Sequence, residues 1–345
     1  MNVVYNEKKN YKDKLASRNK RIIGISIALL LVSFFISMNT GYMKLAPVDT
    51  IRTLLGGGTA KENLILFDLR LPRIIISILI GAGLALSGCI IQGISRNALA
   101  DPGLLGINAG ASLMVILYTL FLSGKSFMNI FILPFLALIG ASLTAFIIYA
   151  FAYKRDEGIA PMRLILTGIA VQAGVSALTT VLVILLDENQ YKFVANWQAG
   201  SIWGSHWNFV WAALPWFIGL LPYLILKSNI LDILNLGDDV ACGLGAMVEK
   251  ERRKLLAVSV ALAAICVSVG GNISFIGLLA PHLSKKLVGP KHRILLPTSA
   301  LLGAVIVSIS DTIGRVIIQP NEIPTGIVVA IIGAPYFLYL LIKKD

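Results

Sequence analysis

The sequence predicts an all-α membrane protein of about ten transmembrane helices, and three observations carry that prediction. Of the 345 residues, 57% are hydrophobic and 14% charged, with a mean hydropathy of +0.81; soluble domains are about 45–50% apolar. The apolar residues gather into segments mostly of roughly 18 to 27 residues, and a helix needs ~20 to cross ~30 Å of hydrocarbon. Lysine and arginine, finally, are strongly partitioned between alternate connections.

The elements follow in order. A basic tail, residues 1–21, precedes a first span at roughly 22–38; it is long and charged and lacks a small-residue cleavage site, so it reads as a retained anchor. Residues 22–345 form one transmembrane domain. Its further spans fall at roughly 71–93, 104–122, 127–152, 161–186, 207–226, 255–270, 273–287, 294–314 and 324–342. The eighth, "ISFIGLLAPHLSKKL", is short and carries Pro281, so it reads as a partial or tilted crossing.

Placing the tail in the cytoplasm puts 22 of the 30 lysines and arginines on that side, which fixes both termini as cytoplasmic. The net charge of +12 is mostly this bias and is no nucleic-acid footprint.

Arg70, Arg73 and Arg315 break the rule by standing at outer span ends. Two readings fit: snorkelling to lipid headgroups, or a docking surface for acidic side chains, which guanidinium pairs bidentately. Between the sixth and seventh spans, about 228–250, lies a cytoplasmic segment of modest polarity. It reads as two short helices joined at glycines, with Asp238 and Asp239 suited to a helix start and Gly243 and Gly245 to a stop. It could float at the lipid interface or be gripped by a cytoplasmic motor. On the fifth span, Gly168, Gln172, Ser176 and Thr179 share one helical face, from which Thr167 falls away. That stripe suits close helix packing or the wall of a passage. Segments 71–122 and 253–304 share an Arg-led entry, a small-residue span and a Gly/Ala-rich following start ("GINAGASL", "LPTSALLGAV"), an inverted internal repeat given their offset of five spans.

Other chemistries find little footing. "SGKS" at 123–126 lacks the first P-loop glycine, the position being Thr119. His206, His282 and His292 occupy separate connections, with His282 read as an interfacial structural residue. Cys89, Cys242 and Cys266 show no ligand spacing and read as inert packing residues. An ion-coupled secondary transporter needs ionisable groups within the spans; Asp311 is the main one, and it lies one helical turn from Arg315, where a local ion pair accounts for it.

The chain resembles the permease subunits of type II ABC importers for iron–siderophore, haem and vitamin B12 uptake. The resemblance covers roughly 45–342. It rests on "RLPR" at 70–73, "GAGLALSGCIIQ" at 81–92, "NALADPGLLGINAGA" at 97–111, "WQAGS" at 197–201, "GDDVACGLG" at 237–245, the run 271–297, "SALLGA" at 299–304, "SDTIGR" at 310–315, "NEIPTGI" at 321–327 and "GAPYF" at 333–337, in joint order. It implies that Arg70, Arg73 and Arg315 dock an extracytoplasmic substrate-binding protein, and that Gly237, Asp238, Asp239, Ala241, Gly243, Leu244 and Gly245 couple to a cytoplasmic ATPase dimer. It also implies a second permease subunit, identical or paralogous, with a path lined by the fifth and tenth spans, hence by Gly168, Gln172, Ser176 and Thr179. The chain would be no enzyme and hold neither cofactor nor metal, ATP and Mg being bound by the ATPase. It would sit in a bacterial cell membrane and carry an iron–siderophore complex, with haem or cobalamin as the alternative cargo. Ala98 departs from the family's usual Pro, and Cys242 and Gly243 from its commoner Arg or Ala and Ser; a glycine there disfavours helix.

Overall fold

The computed structural model describes residues 2–41, 43, 45–122, 132–154, 158–159, 161–202 and 204–342. The "SGKS" stretch, the first residues of the predicted fourth span, Lys44, Arg155, Lys343 and Lys344 lie outside them.

Basic tail and first span are one helix, α1 (Asn2–Asn39), since nothing between them breaks helical hydrogen bonding. After α2 (Pro47–Leu54), the short α3 (Ala60–Asn63) runs through a π-helical stretch, Leu64–Arg70, into α4 (Leu71–Ser95). Together they make a 36-residue rod beginning well before the predicted second span. Thr59 and Glu62 start it with a reciprocal capping box, and Pro72, which has no N–H to continue the ladder, stands where the π-helical stretch gives way to α4. A 3₁₀ turn, Pro102–Leu105, leads to α5 (Ile107–Leu122), then α6 (Leu133–Ala152), a two-residue antiparallel pair β1 (Tyr153–Lys154) and β2 (Gly158–Ile159), and α7 (Pro161–Val183). The remainder comprises α8 (Glu188–Gln198), α9 (Trp207–Asn235), α10 (Asp238–Gly243), α11 (Val248–Gly270), α12 (Ile276–Val288), α13 (His292–Ile317) and α14 (Thr325–Ile342).

Among the described residues eight helical rods are long and apolar enough to cross a membrane, and α5 is a shorter apolar helix. The chain is therefore an all-α, multi-pass membrane protein. With 13 residues, α12 is about 20 Å long, too short for a full crossing, as its proline and length led us to expect. The unpredicted α8 is polar enough to escape a hydropathy reading; Asp187 and Gln190 cap its start reciprocally.

The core forms around α4, which packs antiparallel to α11 and α13 and is crossed by α12. Ser87 and Ser259 meet at the α4–α11 contact: each hydroxyl lies within bonding distance of the other residue's carbonyl, at 2.8 and 3.0 Å. Glycine makes such approaches possible. A Cβ on Gly88 would collide with the Gly277 carbonyl, and one on Gly81 with that of Gly303, so α12 and α13 touch α4 backbone to backbone. The first helices of the two predicted repeats thus face each other, but the equivalence drawn beyond them needs correcting. "GINAGASL" opens α5, whereas "LPTSALLGAV" lies inside α13; the short helix following α11, in the place α5 takes after α4, is α12. Small-residue clusters occur at both places, and composition alone does not separate them.

Candidate functional site

Three places gather the residues singled out by sequence. The first is a cavity of about 500 Å³ between α5, α7, the end of α8 and the turns before α5 and α12. Gln172, Ser176 and Thr179 line it, together with Thr180, whereas Gly168 is buried on α7 and is not part of the lining. Thr179 and Thr180 turn their hydroxyl protons to the Ser176 carbonyl, at 2.7 and 2.9 Å, which leaves their oxygens as acceptors. The opposite wall was not foreseen. It brings Asn108 and Asn272 together, Nδ2 donating to Oδ1 at 2.6 Å, with Ser274 donating to the same Asn272 oxygen at 3.3 Å. Asp101 adds a carboxylate that accepts from the Gly103 N–H at 2.7 Å. Enclosed by protein except toward the cavity, its carboxyl is pushed up to about 6 by burial, with the Gly103 bond pulling the other way. The available signal was two asparagines, each at the start of an apolar run, since buried amides need partners.

The second place is the arginine end of α4. Here the three guanidinium groups are gathered but covered, with relative exposures of 5% for Arg70 and 6% for Arg315 and 11% for the Arg73 side chain. Arg73 grips Asp311 in a fork, Nε at 3.0 Å and Nη2 at 2.9 Å from Oδ1, and its Nη1 pairs with Glu322 at 2.7 Å. Arg315 pairs with the other Asp311 oxygen at 3.1 Å and donates to the Ser37 hydroxyl of α1. Arg70 donates to the carbonyls of Met38 and Met43. The expected Asp311–Arg315 pair is therefore present, but Asp311 also reaches Arg73, 238 positions away in sequence, and accepts from Thr325 at 3.1 Å. The cluster ties α1, α4, α13 and the start of α14 into one body.

At the other end of α4 lies the third place, α10. Gly237 precedes it with φ +116°, a left-handed geometry that favours glycine, and Asp238 and Asp239 fill its first turn. The helix stops at Gly243, followed by Gly245 at φ +81°. The anticipated first short helix is in fact the last part of α9, which runs unbroken to Asn235 despite Pro215 and Pro222. Asp238 pairs with Arg96, at the end of α4, and with Arg252 of α11 at 2.7 Å. Around it Leu236, Val240, Leu244 and Met247 leave an apolar surface open, 50–68% exposed, while Ala241 is buried.

Two readings need correction here. His292 does have a partner: its Nδ1 lies 2.6 Å from Asp232 of α9, and the same oxygen accepts its backbone N–H at 2.9 Å. Sixty residues separate the two, so no local spacing announces the pair. Cys89 and Cys266 are buried, but Cys242 is exposed on α10 and is not a packing residue. His282 stacks edge-on against Tyr336, ring centroids 6.0 Å apart.

Residues 29–343 match the FecCD transport family. The chain is 48% identical to the iron(3+)-hydroxamate import system permease protein FhuG of Bacillus subtilis (strain 168), over 94% of this chain and 97% of that one. It is 41% identical to the iron-uptake system permease protein FeuC of the same organism, over 92% and 96%. Among solved structures, a chain of a transporter described as of the metal-chelate ABC type, in an inward-facing conformation, superposes with a TM-score of 0.83 at 31% identity, covering 94% of this chain and all of that one. A multi-pass helical chain with these motifs in this order, matched to the family over residues 29–343, belongs to the FecCD transport family.

Proposed function

We propose that this chain is the permease subunit of an ATP-driven importer that carries an iron(III)–siderophore complex, of the hydroxamate class first, into a bacterial cell across its cytoplasmic membrane. The observation that carries the reading is the cavity against α7. Its volume falls within the ~300–1,000 Å³ of small-molecule sites, and the polar side chains of its described lining are amides, hydroxyls and one carboxylate, with no cationic side chain among them. A ferric trihydroxamate is uncharged and rich in amide and carbonyl oxygens, so amides and hydroxyls suit it. The 48% identity to a hydroxamate permease supports the same cargo.

The remaining parts follow from charge and exposure. The positive-inside count supports a cytoplasmic side for both termini and for α10. The open apolar surface around Leu244 fits a cleft on a separate ATPase dimer, which binds ATP and Mg, so this chain is itself no enzyme. The arginine end then faces outward. Its three guanidinium groups against two carboxylates leave one net positive charge, which suits an acidic patch on an extracytoplasmic binding protein. A second permease, identical or paralogous, would cover the exposed apolar side of α7 and close the cavity into a path.

Uptake of a panel of radiolabelled ferric siderophores, haem and cobalamin into cells lacking the protein tests the reading. Loss of a ferric hydroxamate, restored by the wild-type chain, is the expected result; loss of haem or cobalamin uptake alone would move the cargo within the class.

A further inference from the structure

At the outward end a cavity of about 570 Å³ opens beside Arg73, with Asn196, Ser201, Asn321, Glu322 and Thr325 in its wall. The two acids that hold Arg73 differ sharply. Asp311 is 1% exposed and is fixed by Arg315 and Thr325 as well as by Arg73. Glu322 is 32% exposed, borders the open cavity and pairs with the outer nitrogen of Arg73 at 2.7 Å. It also sits in the short segment between α13 and α14, which is fastened to α13 by the Ile323 N–H to Gly314 carbonyl bond at 3.0 Å. An acidic side chain entering this cavity meets a guanidinium whose accessible face is already taken.

We propose that Glu322 is a built-in competitor for Arg73. It caps the guanidinium in the free permease, and an acidic side chain of the extracytoplasmic binding protein displaces it on docking, while the Ile323–Gly314 backbone bond keeps the segment on α13. The proposal rests on the docking reading above and adds to it the residue that masks the site. Two like charges contend for one cation, so removing the internal one raises the attraction for the external one.

The test uses the permease–ATPase complex in lipid nanodiscs and the binding protein whose deletion abolishes the same chelate's uptake, loaded with ferric hydroxamate. Glu322→Gln is expected to raise association about fivefold at low salt, the scale of a single charge near an interface. The gain should shrink toward nothing as salt shortens the Debye length. Arg73→Gln is expected to weaken docking, with Arg73→Lys keeping part of it, and melting curves of each complex show whether the variant has kept its fold. If Arg73→Gln weakens docking while Glu322→Gln leaves it unchanged or weaker, the competitor proposal is overturned and the docking reading stands. If a folded Arg73→Gln complex docks normally, both fall, and the arginines return to anchoring the helix ends.

Discussion

Asp311→Asn is the sharpest probe of the arginine cluster. The change keeps the volume of the side chain and removes the charge that two buried guanidinium groups share. Breaking a buried ion pair by deleting one partner costs about 3–5 kcal/mol, because the other charge is left uncompensated. Arg73 retains Glu322, and Arg315 retains the Ser37 hydroxyl, which places the loss near the lower end, about 3 kcal/mol. One kcal/mol shifts the melting temperature by about 2–4 °C in a protein of 150–250 residues and by less in a larger one, so the expected drop is roughly 3–6 °C. The assay is thermal unfolding of the purified permease in detergent, followed by tryptophan fluorescence. Glu322→Gln, which removes a partly exposed partner, should cost under about 1 kcal/mol. The double variant Asp311→Asn with Arg73→Gln should recover part of the loss, since the two positions share one interaction. An Asp311→Asn protein that melts with the wild type, or a Glu322→Gln protein that melts lower than the Asp311→Asn protein, would refute this account of the cluster.

Three further outcomes follow. Asp238→Asn weakens the ties from α10 to Arg96 and Arg252, so the assembled complex should hydrolyse ATP while uptake falls at least tenfold; normal uptake per ATP would show that α10 acts without those ties. Leu244→Asp puts a charge into the open apolar surface of α10 and should abolish uptake while leaving binding-protein docking intact; unaltered uptake would remove the segment from the coupling path. Gly88→Val forces a side chain into the Gly277 carbonyl, so folded protein recovered from membranes should fall severely, whereas the same change at Gly219, with nothing within 4 Å, should be tolerated.

Apolar segment length announced nearly every crossing, because a hydrocarbon slab acts on each helix separately. The sequence was mute where structure depends on pairing at a distance. Arg73 stood out as an outer arginine, yet nothing local joins it to Asp311 or Glu322, some 240 positions on; only the Asp311–Arg315 pair, one turn apart, could be read directly. The α7 stripe was legible as a 3.6-residue period, but the wall facing it comes from three other parts of the chain, and its asparagines carry no charge to draw notice. Likewise α8 hides because its 11 residues are amphipathic and polar, while the capping box that starts it, Asp187 with Gln190, was present in the sequence for the reading.

In the proposed function this chain passes a ferric chelate through a membrane at the expense of ATP hydrolysed by a partner. The most direct test is accumulation of radiolabelled ferric hydroxamate in proteoliposomes holding the permease and its ATPase, with loaded binding protein on the outside and ATP within. Accumulation that needs ATP and disappears when the ATPase is inactivated is the predicted result. Equal accumulation driven by a proton or sodium gradient, with the ATPase left out, would contradict the account and make the chain a secondary transporter.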